Sequence, residues 1–548
     1  MRALLPLRLP AISAVLMLLT TSVEAQSIFR NGFEPPFNLP ANQAEAARFL
    51  TQASFGPSAS QIQQVQAYGY INWLNQQFAR PATRARPFLE GLSDQGVSVG
   101  QGVRMDRWFH TAVYAPDQLR QRVAFAFSQI LVISDRDDTL SGDWAGTAEY
   151  WDILAAHAFG NYRDLLRAVS LSPQMGRYLS HLRNRKANPT TGTEPDENYA
   201  REVMQLFSIG LVQRNDDFSP ILDPGGEPLP TYDQDDIAAM ARVFTGFTYS
   251  GSTNFNSGPA NYLPMMCFQS QHDDQPKTLF GVFTLTSGQC FQDLDEALDI
   301  LFLHPNTPSF ISRQLIQRLV TSNPSPEYIA RVAQVFKANA HGQRGDLRAV
   351  VRAILLDPEA RIRSEDPGYG KPREPLLKLT ALWRAFNAQA PPSEPSGLVQ
   401  MGIRNPQNDF AQRPLGAPSV FNFYEPDFQP GGDIADAGLF APEFQIVDEG
   451  SVVTSANFLY ARSWSGYLGM NNPPANRPLL DISPVAALAG NPQAMVDLLD
   501  VRLTYGSMSP ELRDIVVRLV TELNGNPTQK ALAAIQVITL SPEFAVQR

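Results

Sequence analysis

Glu194-Pro-Asp-Glu-Asn-Tyr-Ala-Arg-Glu-Val-Met-Gln-Leu-Phe-Ser-Ile-Gly-Leu211 reads as one helix with a marked start and stop. Asp196 follows a proline and is placed to accept the first free N–H groups, while Glu197 puts negative charge at the positive end of the helix dipole. Gly210 stands where a left-handed C-terminal cap is expected. Tyr199, Val203, Leu206 and Phe207 recur at steps of three and four and form one apolar stripe. The opposite side carries Glu197, Asn198, Arg201, Glu202 and Gln205. Such a helix buries one side against other helices and offers the other for chemistry.

Outward from it the pattern stays helical. From Glu45, Ala46, Phe49 and Leu50 share a face, with a break at Phe55-Gly-Pro-Ser58; helices follow near 58–68 and 70–78. Pro116 to Ser134 is the most apolar candidate, with Leu119, Val123, Phe127, Ile130 and Leu131 inward and Arg120 and Arg122 on other faces. Trp151 to Ala168 is interrupted at His157 to Asp164, and Asp233 with Asp236 has capping-box spacing. Ser325-Pro-Glu…Asp357-Pro-Glu359 and Ser509-Pro-Glu…Ser541-Pro-Glu543 align without a gap, proline to proline 32 residues apart in both. Each unit reads as helix, polar turn and helix, with Ser or Asp as cap and Pro at the first helical position. Two copies are too few for a solenoid. The expected fold is mainly α, a multi-helix bundle built from helical hairpins.

One stretch differs. Residues 248–292 are rich in Gly, Ser, Asn, Pro and Thr, with short alternation at Leu279 to Leu285, and read as an irregular excursion with one small hairpin. The expected organisation is a 45–385 helical domain containing that loop, an irregular 386–450 segment and a 451–548 hairpin region packed on the first. Phe421, Phe423, Tyr424 and Phe428 argue that 386–450 is packed, because a disordered linker seldom carries so many aromatics.

The 548 residues, 43% hydrophobic and 18% charged, are those of a globular chain. The net charge of −10 argues against a nucleic-acid surface or an anionic membrane as partner. Residues 1–25 read as a signal peptide: Arg2 and Arg8 at the start, an apolar run from Ala11 to Leu19, and a small-residue cleavage site at Val23-Glu-Ala25. An uncleaved anchor is the alternative. Residues 26–44 read as an extended leader, and no later stretch reaches the roughly 18 apolar residues of a transmembrane segment. Export to the periplasm or beyond makes a disulfide the leading assignment for Cys267 and Cys290, the only cysteines. The other assignment is a thiol nucleophile, for which no motif speaks.

The six histidines lack the spacing of a helical zinc site, and His-Glu-x-x-His, Gly-x-Ser-x-Gly, a Walker loop and a dinucleotide glycine fingerprint are missing. Haem attachment has no Cys-x-x-Cys-His. Three features remain. On the helix quoted above, Glu197, Arg201 and Glu202 are the catalytic candidates, although Glu197 and Glu202 sit about 140° apart and do not converge unaided. A polar network holding the helix down explains the same residues. His272-Asp273 beside the cysteine loop, with Glu202, is the candidate set for a divalent metal. Acidic clusters at Asp135 to Asp138, Asp216-Asp217 and Asp233 to Asp236 lack the regular spacing of a calcium loop and fit solvated turns or helix caps.

At these residues the chain resembles the bacterial domain-of-unknown-function 1800 family. The resemblance rests on Arg48-Phe-Leu-Thr-Gln-Ala-Ser-Phe-Gly56, Pro195 to Gly210, Ala241-Arg-Val-Phe-Thr-Gly246, His272-Asp273 with Lys277, Leu279 and Gly281, and Ser541-Pro-Glu-Phe544. It implies a large, usually exported bacterial protein, often encoded beside another exported family that resembles sulfatases. It assigns no activity and no functional residues. Many members carry histidine where this chain has Phe207. Two functions are expected from all this: a binding or assembly partner of another exported envelope protein, or a metal-dependent enzyme of hydrolase type using the 197–205 helix and the 272–277 loop.

Overall fold

Short polar caps set most helix starts in this chain. The Asn42 side chain accepts from the Glu45 N–H and opens α1 (Gln43–Ala53); Ser58 does the same for α2 (Ala59–Ala79). The computed structural model describes residues 38–259, 262–366, 368–389 and 400–548. The expected signal segment and most of the leader therefore lie outside the described residues.

After α2, which bends at Gly69, come α3 (Arg86–Asp94), α4 (Gln101–Tyr114), α5 (Gln118–Ser128), α6 (Trp144–His157), α7 (Tyr162–Ser170) and α8 (Pro173–Tyr178). The helix quoted first is α9 (Asn198–Gln205), followed by α10 (Gln234–Val243). Then comes the excursion, in which β1 (Phe247–Thr248) pairs with β2 (Met266–Cys267) and β3 (Lys277–Leu279) with β4 (Phe283–Leu285), both antiparallel. Helices resume with α11 (Cys290–Leu303), α12 (Asn306–Leu319), α13 (Pro326–Lys337), α14 (Leu347–Leu356) and α15 (Pro358–Arg361). β5 (Lys371–Pro372) precedes α16 (Pro375–Ala385), α17 (Pro406–Phe410), α18 (Asp433–Asp436) and α19 (Glu449–Trp464). The chain then forms α20 (Ser483–Ala486), α21 (Pro492–Leu499), α22 (Pro510–Glu522), α23 (Pro527–Thr539), α24 (Pro542–Ala545) and β6 (Val546–Gln547), which pairs antiparallel with β5. The fold is mainly α with small two-stranded ribbons. One apolar cluster takes in Ala46 near the start, Leu119 and Val203 in the middle, and Phe544 at the end. Among the described residues no helix is long and apolar enough to cross a membrane.

The repeat closes in the same way twice. In α13–α15, Ser325 caps Tyr328 N–H at 3.0 Å, and its own N–H donates to Glu359 Oε1 at 3.0 Å while its hydroxyl donates to Oε2. In α22–α24, Ser509 caps Leu512 N–H at 3.2 Å and its hydroxyl donates to the Glu543 carboxylate. The glutamate of each closing Ser/Asp-Pro-Glu thus ties the second helix back to the cap of the first. Ser325→Ala removes a cap and a charge-assisted bond together, so a loss of about 1–2 kcal/mol is expected from the shift in urea midpoint. Ser509→Ala should cost a similar amount, and an unchanged midpoint in both would deny the clasp any role in stability.

Four expectations need correction. The stretch 194–211 holds a shorter helix, because Asp196 is fixed in a turn by Asn184: the Asp196 N–H donates to Asn184 Oδ1 at 2.8 Å. At the other end the Ile209 and Gly210 N–H groups both donate to the Met204 carbonyl, and Gly210 turns left-handed at φ +71° against the Phe310 ring. The apolar helix expected to Ser134 stops at Ser128, because Ser134 bridges to Gly416 and the Asp135 N–H donates to the Leu415 carbonyl at 2.8 Å. Long-range pairing overrides helical periodicity there. Arg122, placed on another face by that periodicity, is completely buried. In the irregular segment Phe423 and Tyr424 are buried as expected, but Phe421 is exposed because the chain reverses at Ser419–Asn422.

Candidate functional site

The polar side of α9 divides in two. Glu197 and Arg201 face outward as an ion pair 3.2 Å apart, and Gln234 at the start of α10 donates to both Glu197 oxygens at 3.1 and 3.0 Å. Glu202 turns inward and is 6% exposed. Among the described residues nothing donates to its Oε2. Burial raises its carboxyl above the ordinary range, and the nearby Arg201 only partly offsets this. Tyr178 and Tyr232 lie within its electrostatic reach, and burial first, then charges including Glu202, pushes each hydroxyl up to about 12. The Tyr232 hydroxyl is also buried with no partner among the described residues. Phe207 is buried in the core beside Tyr199, with ring centroids 6.2 Å apart.

His272 and Asp273 belong to a different arrangement. Gly246, at φ +89°, lets the chain turn directly against them: a Cβ there would lie 3.0 Å from both His272 N and Cys267 Sγ. The disulfide Cys267–Cys290 joins β2 to the first residue of α11 and so brings Asp293, one turn into α11, under the loop. His272 Nε2 meets Asp293 Oδ2 at 3.1 Å, and Nδ1 meets the Thr245 carbonyl at 2.9 Å. Lys277 Nζ donates to Asp293 Oδ2 at 2.6 Å and to the Asp273 and Gln275 carbonyls, and the Ser287 hydroxyl holds Asp293 Oδ1. The His272, Lys277 and Asp293 side chains are completely buried. Asp273 is clamped by Arg242 through two bonds of 2.8 Å.

These contacts decide how the candidate residues relate. Both ring nitrogens of His272 and both oxygens of Asp273 are committed to protein partners. Among the described residues no group of three or more His, Cys, Asp or Glu side chains has the geometry to hold a metal. The expected ligand set Glu202, His272 and Asp273 is therefore not assembled. Arg242 at the end of α10 takes the carboxylate that a cation would need. The acidic clusters are engaged as well: Asp135 pairs with Arg104 and Arg413, Asp216 with Lys337, and Asp233 with Asp236 makes the capping box.

A family model whose description is a protein of unknown function, DUF1800, matches residues 48–546. The chain belongs to the DUF1800 family. No curated protein and no solved structure matches it.

Two stretches of this DUF1800 protein, around Arg48 and at Ala241–Gly246, have structural duties. Arg48 is buried, and it donates to the Ala360 carbonyl at 2.9 Å and pairs with Glu45 at 2.9 Å, which joins α1 to α15. Ala241–Gly246 provides Arg242, Thr245 and the turn that the His272 knot requires. A second set of buried charges in this DUF1800 protein was not singled out by its motifs. Arg122 and Arg318 from α5 and α12, Lys371 and Glu374 around β5, and Glu443 from the irregular segment are all buried together with Gln129, Gln412 and Tyr424. The available signals were an arginine inside the most apolar helix and the charged Lys371-Pro-Arg-Glu374 run immediately before an apolar one. Asp293 was equally inconspicuous, as one acid in the first turn of a helix.

Proposed function

We propose that this DUF1800 protein is an exported binding or assembly protein that docks another exported envelope protein on the outer face of α19. The observation that carries this reading is the apolar stripe there. Val452, Val453 and Tyr460 are 50%, 58% and 44% exposed, while the adjoining Ser455, Leu459 and Ser463 are buried. Residues 452, 453, 456 and 460 fall on one side of a helix, so Ala456 completes the stripe. Contiguous exposed apolar surface of this kind marks interaction sites more often than isolated exposed residues do. Asp448 and Glu449 at the start of α19, on a chain of net charge −10, suit a partner face that is apolar at its centre and basic at its rim.

The test compares wild type with Val453→Glu and Tyr460→Glu in co-purification from the envelope fraction. One stoichiometric partner retained by wild type and lost by both variants, with unchanged circular dichroism, is expected. Equal recovery by all three rejects α19 as the docking face. Dimerisation of the purified wild type abolished by the same variants would assign the face to a second copy instead.

A second reading is supported by Glu202, whose unpartnered Oε2 and raised pKa suit a general acid of hydrolase chemistry beside Tyr178 and Tyr232. Any metal there would need ligands other than His272 and Asp273. Hydrolysis of a panel of esters and phosphoesters by wild type, abolished in Glu202→Gln, would favour this reading over docking. Hydrolysis at equal rates by both proteins would remove Glu202 from it.

A further inference from the structure

The buried charges under residues 412–443 do not balance one another. Arg122, Arg318 and Lys371 supply three cations, and Glu374 and Glu443 two carboxylates. The carboxylates are served by other groups: Lys371 Nζ is 2.8 Å from Glu443 Oε1 and 3.9 Å from Glu374 Oε1, and the Gln129 and Gln412 amides donate to Glu374 Oε2. Neither arginine has a salt-bridge partner among the described residues, although both lie within electrostatic reach of Glu374, Glu443 and Tyr424. Among the described residues Arg122 makes one hydrogen bond, from Nη2 to the Arg318 carbonyl at 2.6 Å, and its Nε and Nη1 are buried with no partner. Arg318 donates from Nη1 and Nη2 to the Gln314 and Gln129 carbonyls, and its Nε is buried with no partner among the described residues. Buried guanidinium N–H groups require acceptors.

A neighbouring feature shares Gln129 with this cluster. A small cleft opens between the end of α5 and the irregular segment, lined by Ser128, Gln129, Arg413, Asn422 and Phe423. Gln129 belongs to both the cleft and the charged cluster, and the Asn422 amide nitrogen is buried there with no partner among the described residues.

We propose that this cluster is a binding site for a small oxyanion, held by the free N–H groups of Arg122 and Arg318 and entered past Gln129 and Asn422. The excess positive charge selects an anion, and the planar donor sets suit the paired oxygens of a carboxylate, phosphate or sulfate. Anion uptake would also fix the irregular segment, which supplies Glu443 and Tyr424, to the helical body. The site shares no residue with the exposed face of α19 and does not depend on the docking reading.

Isothermal titration of the full chain with phosphate, sulfate and acetate, each against chloride, tests the site and separates the three sources. Saturable binding of at least one of them at one per chain is expected. Asn422→Asp, which keeps shape but adds negative charge at the entrance, is expected to weaken it about 10-fold, as is Arg122→Lys. If Arg122→Lys fails to fold, Asn422→Asp decides alone. Absence of saturable binding by all three anions, or binding to Asn422→Asp equal to wild type, overturns the proposal.

Discussion

Replacing Lys371 by methionine is expected to lower stability by about 3–5 kcal/mol, because it removes one partner from a buried ionic group and leaves the others. The Lys371 ammonium is buried, contacts Glu443 at 2.8 Å and donates to the Arg318 carbonyl at 3.1 Å. It also stands in β5, opposite Gln547 of β6, where the end of the chain is paired to its middle. Burial raises the Glu443 carboxyl even with Lys371 beside it, and Glu374 raises it further. For an acid raised in the folded state, stability falls as pH rises from its unfolded value through its folded one. Loss of Lys371 raises Glu443 further, so the deficit should be larger at pH 8 than at pH 5. Urea unfolding of both proteins at the two pH values checks this. A deficit below about 1 kcal/mol, in the range of an exposed pair, would mean that water already screens the cluster.

Asp293→Ala should cost a comparable amount, about 3–5 kcal/mol, for the same physical reason with the signs exchanged. It strands the Lys277 ammonium on carbonyl oxygens alone and frees His272 Nε2 and the Ser287 hydroxyl inside the fold. Burial works to raise the Asp293 carboxyl, but the hydrogen bonds from Lys277, Ser287 and His272 outweigh it and hold it low. A depressed acid contributes its full stability above its unfolded value, about 3.9, and loses it as pH falls through the folded one. Wild type and Asp293→Ala should therefore converge below about pH 4 and differ most at neutral pH. A constant difference across that range would show that packing, not charge, is lost. If His272 and Asp273 served a metal instead of this knot, removing Asp293 would leave them largely undisturbed.

The helical hairpins were legible because capping is local. Ser325, Ser509 and Asp233 announce helix starts within four residues, and the side chains do what their positions demand. The disulfide and the hairpin after Lys277 followed from two cysteines and a short alternation. What periodicity could not show was the destination of a charge. Glu197 and Glu202 look alike in sequence, yet one bonds Gln234 at the surface and the other turns toward Tyr178 and Tyr232. His272-Asp273 carries the residue types of a metal site, but its partners, Arg242, Thr245 and Asp293, come from other elements 20 or more residues away in sequence. Arg122 in its apolar helix was assigned to another face because only long-range contacts reveal the buried cluster that holds it.

The central claim is that the residues around α9 and the cysteine loop chiefly hold the fold together, while the proposed docking surface lies on α19. Photo-cross-linking in the native envelope tests it most directly, with the reactive side chain placed at position 453 in one protein and at 201 in another. One defined adduct from 453 and none from 201 is the expected result. An adduct from 201 with none from 453 would contradict it and return function to the face of α9.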